Sequence, residues 1–257
     1  MLRSLYTGWT GMFNQQQRLD VISNNMANAT TVGYKKEGVT SQTFDDYLTV
    51  KIRDGSEEWK HRSIGNINPG VKIGEVYTDY SQGSLRETGN TYDLALDGEG
   101  FFTVNVTDRE GNTSTRYSRA GSFHITNDGY IVDAEGNHLQ SEAGDLQVPV
   151  DAGKVVISES GDVYADGEHI DRLLIADFED YNYLKKFQDT YYQPVNGAEM
   201  KESKAAVRQG YTEQANVNIV NEMVNLIAIT RAYEASQKVV KTADSTLELA
   251  VSSVGKV

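Results

Sequence analysis

Cysteine is absent from this chain of 257 residues, which excludes a disulfide scaffold and thiol chemistry. Proline is scarce, at three residues, and no apolar run approaches the length needed to span a bilayer. Gln15, Gln16, Gln17 and Arg18 interrupt the apolar N-terminal residues, so no cleaved secretory signal is expected there. Basic residues are outnumbered: 24 Lys and Arg against 37 Asp and Glu leave a net charge of −13. That balance argues against nucleic acid or an anionic lipid surface as partner. The four histidines, His61, His124, His138 and His169, show no metal-ligand spacing. Acidic residues beside glycine, as in Asp97-Gly98-Glu99 and Asp133-Ala134-Glu135-Gly136, miss the alternating oxygen ligands of a calcium loop and read as turns. Neither a phosphate-cradling glycine loop nor a nucleophile elbow is present, and nothing singles out two carboxylates for glycoside hydrolysis. The expectation is a protein with no catalytic residue, metal, cofactor or small-molecule substrate.

What the chain does have is periodicity. From Asn216 to Val257, the residues Ile219, Met223, Leu226, Thr230, Tyr233, Gln237, Val240, Asp244, Leu247, Val251 and Val254 recur in alternating steps of four and three. That is the spacing of a helix that lies against other helices. Val220, Val224, Ile227 and Val239 widen the stripe. No proline or glycine interrupts it before Gly255, so about 39 residues would make a helix roughly 58 Å long. At the other end, Leu2, Leu5, Trp9, Met12, Gln16, Leu19, Ser23 and Met26 follow the same steps, with Phe13 and Ile22 beside them. An N-terminal helix packed on a local core would explain that second stripe. Pairing of the two termini explains both, and predicts an α+β fold in which long N- and C-terminal helices form a coiled-coil-like core domain beside a β-rich central domain. The candidate assembly residues are then Leu5, Trp9, Met12, Leu19, Ile22 and Met26, with Ile219, Met223, Leu226, Tyr233, Val240, Leu247 and Val251.

Charge follows the same division. Residues 1–27 hold two cations and one acid, and residues 216–257 hold four of each, so the middle carries more than the whole net charge. Nearly neutral ends can crowd together, whereas the acidic middle must face solvent. The first helix is expected to break at 28–36, where Asn28 and Gly33 tolerate left-handed backbone. Residues 28–70 and 179–215 read as extended connectors, with 55–70 as a surface loop. From 71 to 178 the period changes to two. Glu110-Gly111-Asn112, Asn127-Asp128-Gly129, Glu135-Gly136-Asn137, Ser160-Gly161-Asp162 and Asp166-Gly167 punctuate short β-branched and aromatic runs, which predicts antiparallel hairpins. The tyrosines of this region, together with Tyr117-Ser118-Arg119, fit hairpin packing or a sugar-binding face equally well. A coiled-coil-anchored β domain that binds carbohydrate or cell wall therefore stands as the alternative to an assembly protein.

Specific motifs decide between them. Leu5-Tyr6, Gly11-Met12, Gln15-Gln16, Leu19 through Asn28 and Thr31-Val32-Gly33-Tyr34-Lys35 resemble the N-terminal signature of bacterial flagellar rod and hook proteins. Gly210-Tyr211, Glu213, Asn216-Val217-Asn218, Glu222 through Ile227 and Arg231-Ala232-Tyr233-Glu234-Ala235 resemble the C-terminal one. Asp97 through Val104, Tyr117 through Phe123 and Asp128-Gly129-Tyr130 resemble the family's β domain. The residues that carry the match include Asn24, Asn25, Asn28, Gly33, Tyr34, Asn216 and Arg231. Val32 stands where many members have proline. The resemblance implies a structural subunit of the basal-body rod that is exported without a cleaved signal and polymerises with itself into a helical drive shaft. Its implied partners are neighbouring rod and hook proteins, the rod cap and the export apparatus.

Overall fold

The computed structural model of the chain describes residues 2–51, 62–107 and 112–254. A helix stands near each end: α1 spans Leu2–Ala27 and α2 spans Ile219–Leu249, followed by a π turn over Ala250–Val254. The chain between them is mainly antiparallel strand. It divides into two compact units, one of residues 1–26, 37–78 and 219–257, the other of 27–36 and 79–218.

In the first unit, β1 (Glu37–Thr43) pairs with β4 (Val71–Thr78), and β2 (Tyr47–Lys51) pairs with β3 (Arg62–Ile67). Residues 62–67, expected within a loop, are thus a strand; 55–61 lie outside the described residues. The buried face of α1 is largely polar, with Thr10, Asn14 and Asn25 beside Ile22. Asn25 clamps the start of β1: its Nδ2 donates to the Glu37 carbonyl at 2.8 Å, and its Oδ1 accepts from the Glu37 amide at 2.9 Å. Ser41 donates to Asn14 Oδ1 at 3.1 Å, and Thr10 donates to the Pro69 carbonyl at 3.3 Å. The two helices come together at glycine, where a Cβ added to Gly8 would lie 2.9 Å from Val240 Cγ2.

These facts correct the expected fold class. No coiled-coil-like core of two long terminal helices forms. Among the described residues, Ile22 and Ile229 are the only buried apolar side chains on either helix, and the rest of the buried apolar set lies in strands or loops. The physical reason lies in the contacts. Asn, Thr and Gly, which a hydrophobic pattern ignores, occupy the close-packed positions of α1, while much of the apolar stripe is left to solvent.

The second unit holds β5 (Leu85–Glu87), β6 (Leu94–Asp97), β7 (Phe101–Thr107), β8 (Thr113–Ser118), β9 (His124–Ile125), β10 (Ile131–Val132), β11 (His138–Leu139), β12 (Val155–Ile157), β13 (Asp162–Ala165), β14 (Glu168–Arg172), β15 (Ile175–Phe178), β16 (Leu184–Phe187), β17 (Tyr191–Pro194), β18 (Met200–Glu202), β19 (Ala206–Gln209) and β20 (Tyr211–Glu213). The largest sheet runs β16-β17-β8-β7-β11-β10-β9, with β15 joining β7 to β18. Successive side chains of β7 point to opposite faces. Phe102 and Val104 therefore enter a core with Leu94, Leu96, Phe123 and Leu139, whereas Phe101 joins Tyr117, Phe178 and Tyr192 in a second cluster. The turns at 127–129, 135–137, 160–162 and 166–167 lie between paired strands as expected. The turn at 110–112 falls largely outside the described residues. Gly98-Glu99-Gly100 separates β6 from β7 without making a hairpin, since β6 pairs with β19. The stretch from 181 to 210 carries four strands rather than an open return path.

Two buried features test this packing. A Cβ on Gly121 would lie 1.6 Å from the Leu94 carbonyl oxygen. Gly121→Ala is therefore expected to destabilise the second unit by about 1–3 kcal/mol, read as a lower urea midpoint. Tyr191 donates to Asp133 and accepts from Asn137 Nδ2 at 2.9 Å. Burial, reinforced by the Asp133 carboxylate, raises its pKa above the ordinary phenol value. The folded chain thus keeps a proton that the unfolded chain releases near pH ~10, and stability is lost as pH climbs past that value. Tyr191→Phe removes this contribution, so its unfolding free energy should fall less than that of the wild type between about pH 9 and pH 11.

Candidate assembly surface

One buried ion cluster organises the second unit. Glu213, at the end of β20, is 1% exposed. Its Oε1 accepts from Lys35 Nζ at 2.6 Å and from the Gly83 amide at 2.8 Å, and its Oε2 accepts from Arg119 at 3.2 Å. Other donors find carbonyls: Lys35 reaches Ser81 at 2.8 Å and Arg119 reaches Gly98 through Nη2 at 2.6 Å, while Arg119 Nε is buried without a hydrogen-bond partner among the described residues. Burial lowers the Lys35 pKa, and the Glu213 carboxylate opposes that shift. The Gly33 amide donates to the Glu213 carbonyl at 2.8 Å. Gly33 has φ +71°, and a Cβ there would lie 2.3 Å from the Ala120 amide nitrogen, so the turn needs both the left-handed backbone and the missing side chain.

Asn216 adds a second clasp. Its Oδ1 accepts from the Lys36 amide at 2.7 Å, and its Nδ2 donates to the Asp79 carbonyl at 2.8 Å. The Asp79 amide in turn donates to the Lys36 carbonyl at 2.8 Å. The motif residues thus divide by place. Asn25, Gly33 and Tyr34 are buried, Asn28 and Asn216 are half-buried, and Asn24 and Arg231 are exposed. Lys35, Arg119 and Glu213 each lie within one of the family-like motifs, and nothing local in the sequence pairs them. The available signal was three ionisable residues set among glycine and aromatic residues, where a solvated charge is out of place.

The helices carry the other part of the surface. Of the candidate assembly residues, Ile22 is buried. Leu5, Met12, Leu19, Met26, Leu226, Tyr233, Val240 and Leu247 are half-buried, and Trp9, Ile219, Met223 and Val251 are exposed. The covered stripe of α2 runs Glu222, Leu226, Ile229, Tyr233, Ser236, Val240, Ala243 and Leu247. It keeps one expected row; of the other, Thr230 is half-buried, whereas Met223, Gln237, Asp244 and Val251 are exposed and give way to the row one residue earlier. Val220, Met223, Val224 and Ile227 consequently form an apolar ridge, with Val220 69% and Val224 62% exposed. On α1, Tyr6, Trp9 and Phe13 are exposed in steps of three and four, and the Trp9 and Phe13 rings stack with centroids 5.8 Å apart.

Known proteins share this organisation in sequence. Residues 5–35 match the family model described as flagella basal body rod protein. Residues 95–165 match the flagellar hook protein FlgE/F/G D1 domain, and residues 208–252 match the flagellar basal body rod FlgEFG protein C-terminal region. The flagellar basal-body rod protein FlgG of Bacillus subtilis (strain 168) is 33% identical, over 96% of this chain and 97% of its own length. FlgG of Agrobacterium fabrum is 35% identical over 95% and 96%. The rod protein FlgF of Caulobacter vibrioides is 32% identical over 99% and 97%.

The ion cluster makes a sharp mutational prediction. Glu213→Ala strands two buried cations and should cost about 3–5 kcal/mol of unfolding free energy. Lys35→Met should cost less, because Arg119 still pairs with Glu213. Urea titration of the full-length variants ranks the two.

Proposed function

The chain belongs to the flagellar basal-body rod protein family and is a structural subunit of the rod in the flagellar basal body; from this premise we propose that it assembles by covering the exposed apolar faces of α1 and α2 with neighbouring subunits. The observation that carries the reading is the placement of those faces. An acidic chain leaves Tyr6, Trp9, Phe13, Val220, Met223, Val224 and Ile227 in solvent, on helices that carry little net charge. Contiguous apolar patches on a soluble subunit mark interaction sites, and burying each large side chain is worth about 1.5–3 kcal/mol.

A rod grows by heterologous contacts, in which one surface meets a different surface of the next copy and the operation does not close. The partners on this reading are further copies of the chain in a helical homopolymer, adjoining rod and hook proteins, the rod cap, and the export apparatus that delivers the subunit. The terminal segments 1–27 and 216–257 supply the contacts, and the acidic, strand-rich chain between them remains in solvent. The chain's relatives are rod proteins rather than enzymes. The carbohydrate-binding alternative lacks support: the relatives are rod proteins, and Tyr117, Ser118 and Arg119, the motif that suggested it, are buried.

The test is complementation of a strain of the source bacterium deleted for this gene. The wild-type gene restores complete basal bodies in electron micrographs. Val220→Asp combined with Ile227→Asp should give no rod, with an unfolding midpoint close to wild type because both side chains are exposed. Normal rods from that double variant would refute the assignment of this ridge.

A further inference from the structure

We propose that one contact between successive copies of this chain is a knob and socket, in which the stacked Trp9–Phe13 pair of one copy seats in the groove between α1 and α2 of another. The inference rests on the rod-subunit reading and names the residues that meet. The socket is a groove of about 540 Å³ lined by Ser4, Thr7, Gly8, Ala235, Ser236 and Val239. Its depth follows from its residues. Gly8 lets the helices approach until a Cβ would stand 2.9 Å from Val240, and Ala235 and Ser236 project too little to fill the space above. The only large apolar member, Val239, is itself 50% exposed. The knob is the opposite case, two large rings held face to face at 5.8 Å with Trp9 51% and Phe13 47% exposed.

Charge selects this occupant. The α2 segment that forms one wall carries exposed Arg231, Lys238 and Lys241 against one acid, Glu234, in a chain whose net charge is −13. Neither Arg231 nor Lys238 has an ion-pair partner among the described residues. The knob stripe, Tyr6, Trp9, Phe13, Gln16 and Asp20, offers exposed π faces and one carboxylate and no cation. Cations beside the groove attract both ring faces and the carboxylate, and tryptophan anchored in a small-residue pocket with arginine nearby is the usual composition of an interface hot spot. Because the knob and the socket are different surfaces, the contact propagates instead of closing.

Sedimentation of the purified full-length chain tests this with two variants that leave the helix-to-helix contact untouched. Trp9→Ser removes the knob and keeps the socket; Ala235→Leu fills the socket and keeps the knob. Each alone should weaken self-association at least about tenfold, with circular dichroism unchanged. An equimolar mixture should form 1:1 dimers that grow no further, since only the intact knob of one variant can meet the intact socket of the other. Wild-type association by either variant, or a mixture that stays monomeric, overturns the proposal. So does a wild-type chain that remains monomeric at millimolar concentration. Restoration of basal bodies by the wild-type gene in the deletion strain would then preserve the rod-subunit reading while the contact between copies fell.

Discussion

Glu213 is a carboxylate withdrawn from water, and the second unit is arranged to make that tolerable. A buried charge costs several kcal/mol unless its partners are close and its lone pairs are filled. Here two cations and a backbone amide converge on one carboxylate, and each cation also donates to a carbonyl, of 81 and of 98. The geometry requires three distant stretches of backbone to approach closely, which accounts for glycine at the points of approach. A Cβ on Gly83 would lie 1.9 Å from the Gln214 carbonyl oxygen, and one on Gly33 would strike the 119–120 peptide. Asn216 then gathers Lys36 and Asp79 at the same place. The family motifs at the two ends of the chain are, in this light, largely one junction written in two pieces.

Much of this chain was legible residue by residue, and the exceptions share a cause. Alternation in Phe101 through Val106 and the glycine-centred turns from 127 to 167 announce short antiparallel strands, because side-chain period and left-handed backbone are local properties. Both helices were likewise announced by their periodicity. What α1 packs with was not, since its covered face uses Thr10, Asn14 and Asn25, whose hydrogen-bond partners lie up to 59 positions away. On α2 the apolar pattern is wide enough to fit two adjacent registers, and Glu222 and Ser236 occupy covered positions that a hydrophobic template would reject. The Lys35–Glu213–Arg119 cluster is invisible in principle to local reading. Each charge looks solvated until the chain brings it to the others.

The division of apolar residues between inside and outside distinguishes a subunit from a self-sufficient domain. Strand residues such as Leu94, Phe102 and Leu139 are fully buried and hold the β unit alone. Helix residues of equal hydrophobicity, Trp9, Met223 and Ile227, remain half in water or more. A monomeric protein would be selected to lose that exposure. On the assembly proposed above, that exposure is the surface that neighbouring subunits would cover.

The sequence separation inside the ion cluster has a temporal consequence. Lys35 and Glu213 stand 178 positions apart. A polypeptide that emerges N-terminus first presents Lys35 early and Arg119 midway, but supplies the carboxylate that pairs with both only when about four-fifths of its length has appeared. Until then the pocket would hold like charges without their counterion, and closing it carries the entropy of a loop of 178 residues. Completion of the β unit is thereby deferred to the end of synthesis, and the nascent subunit stays pliable for as long as its last strand is missing.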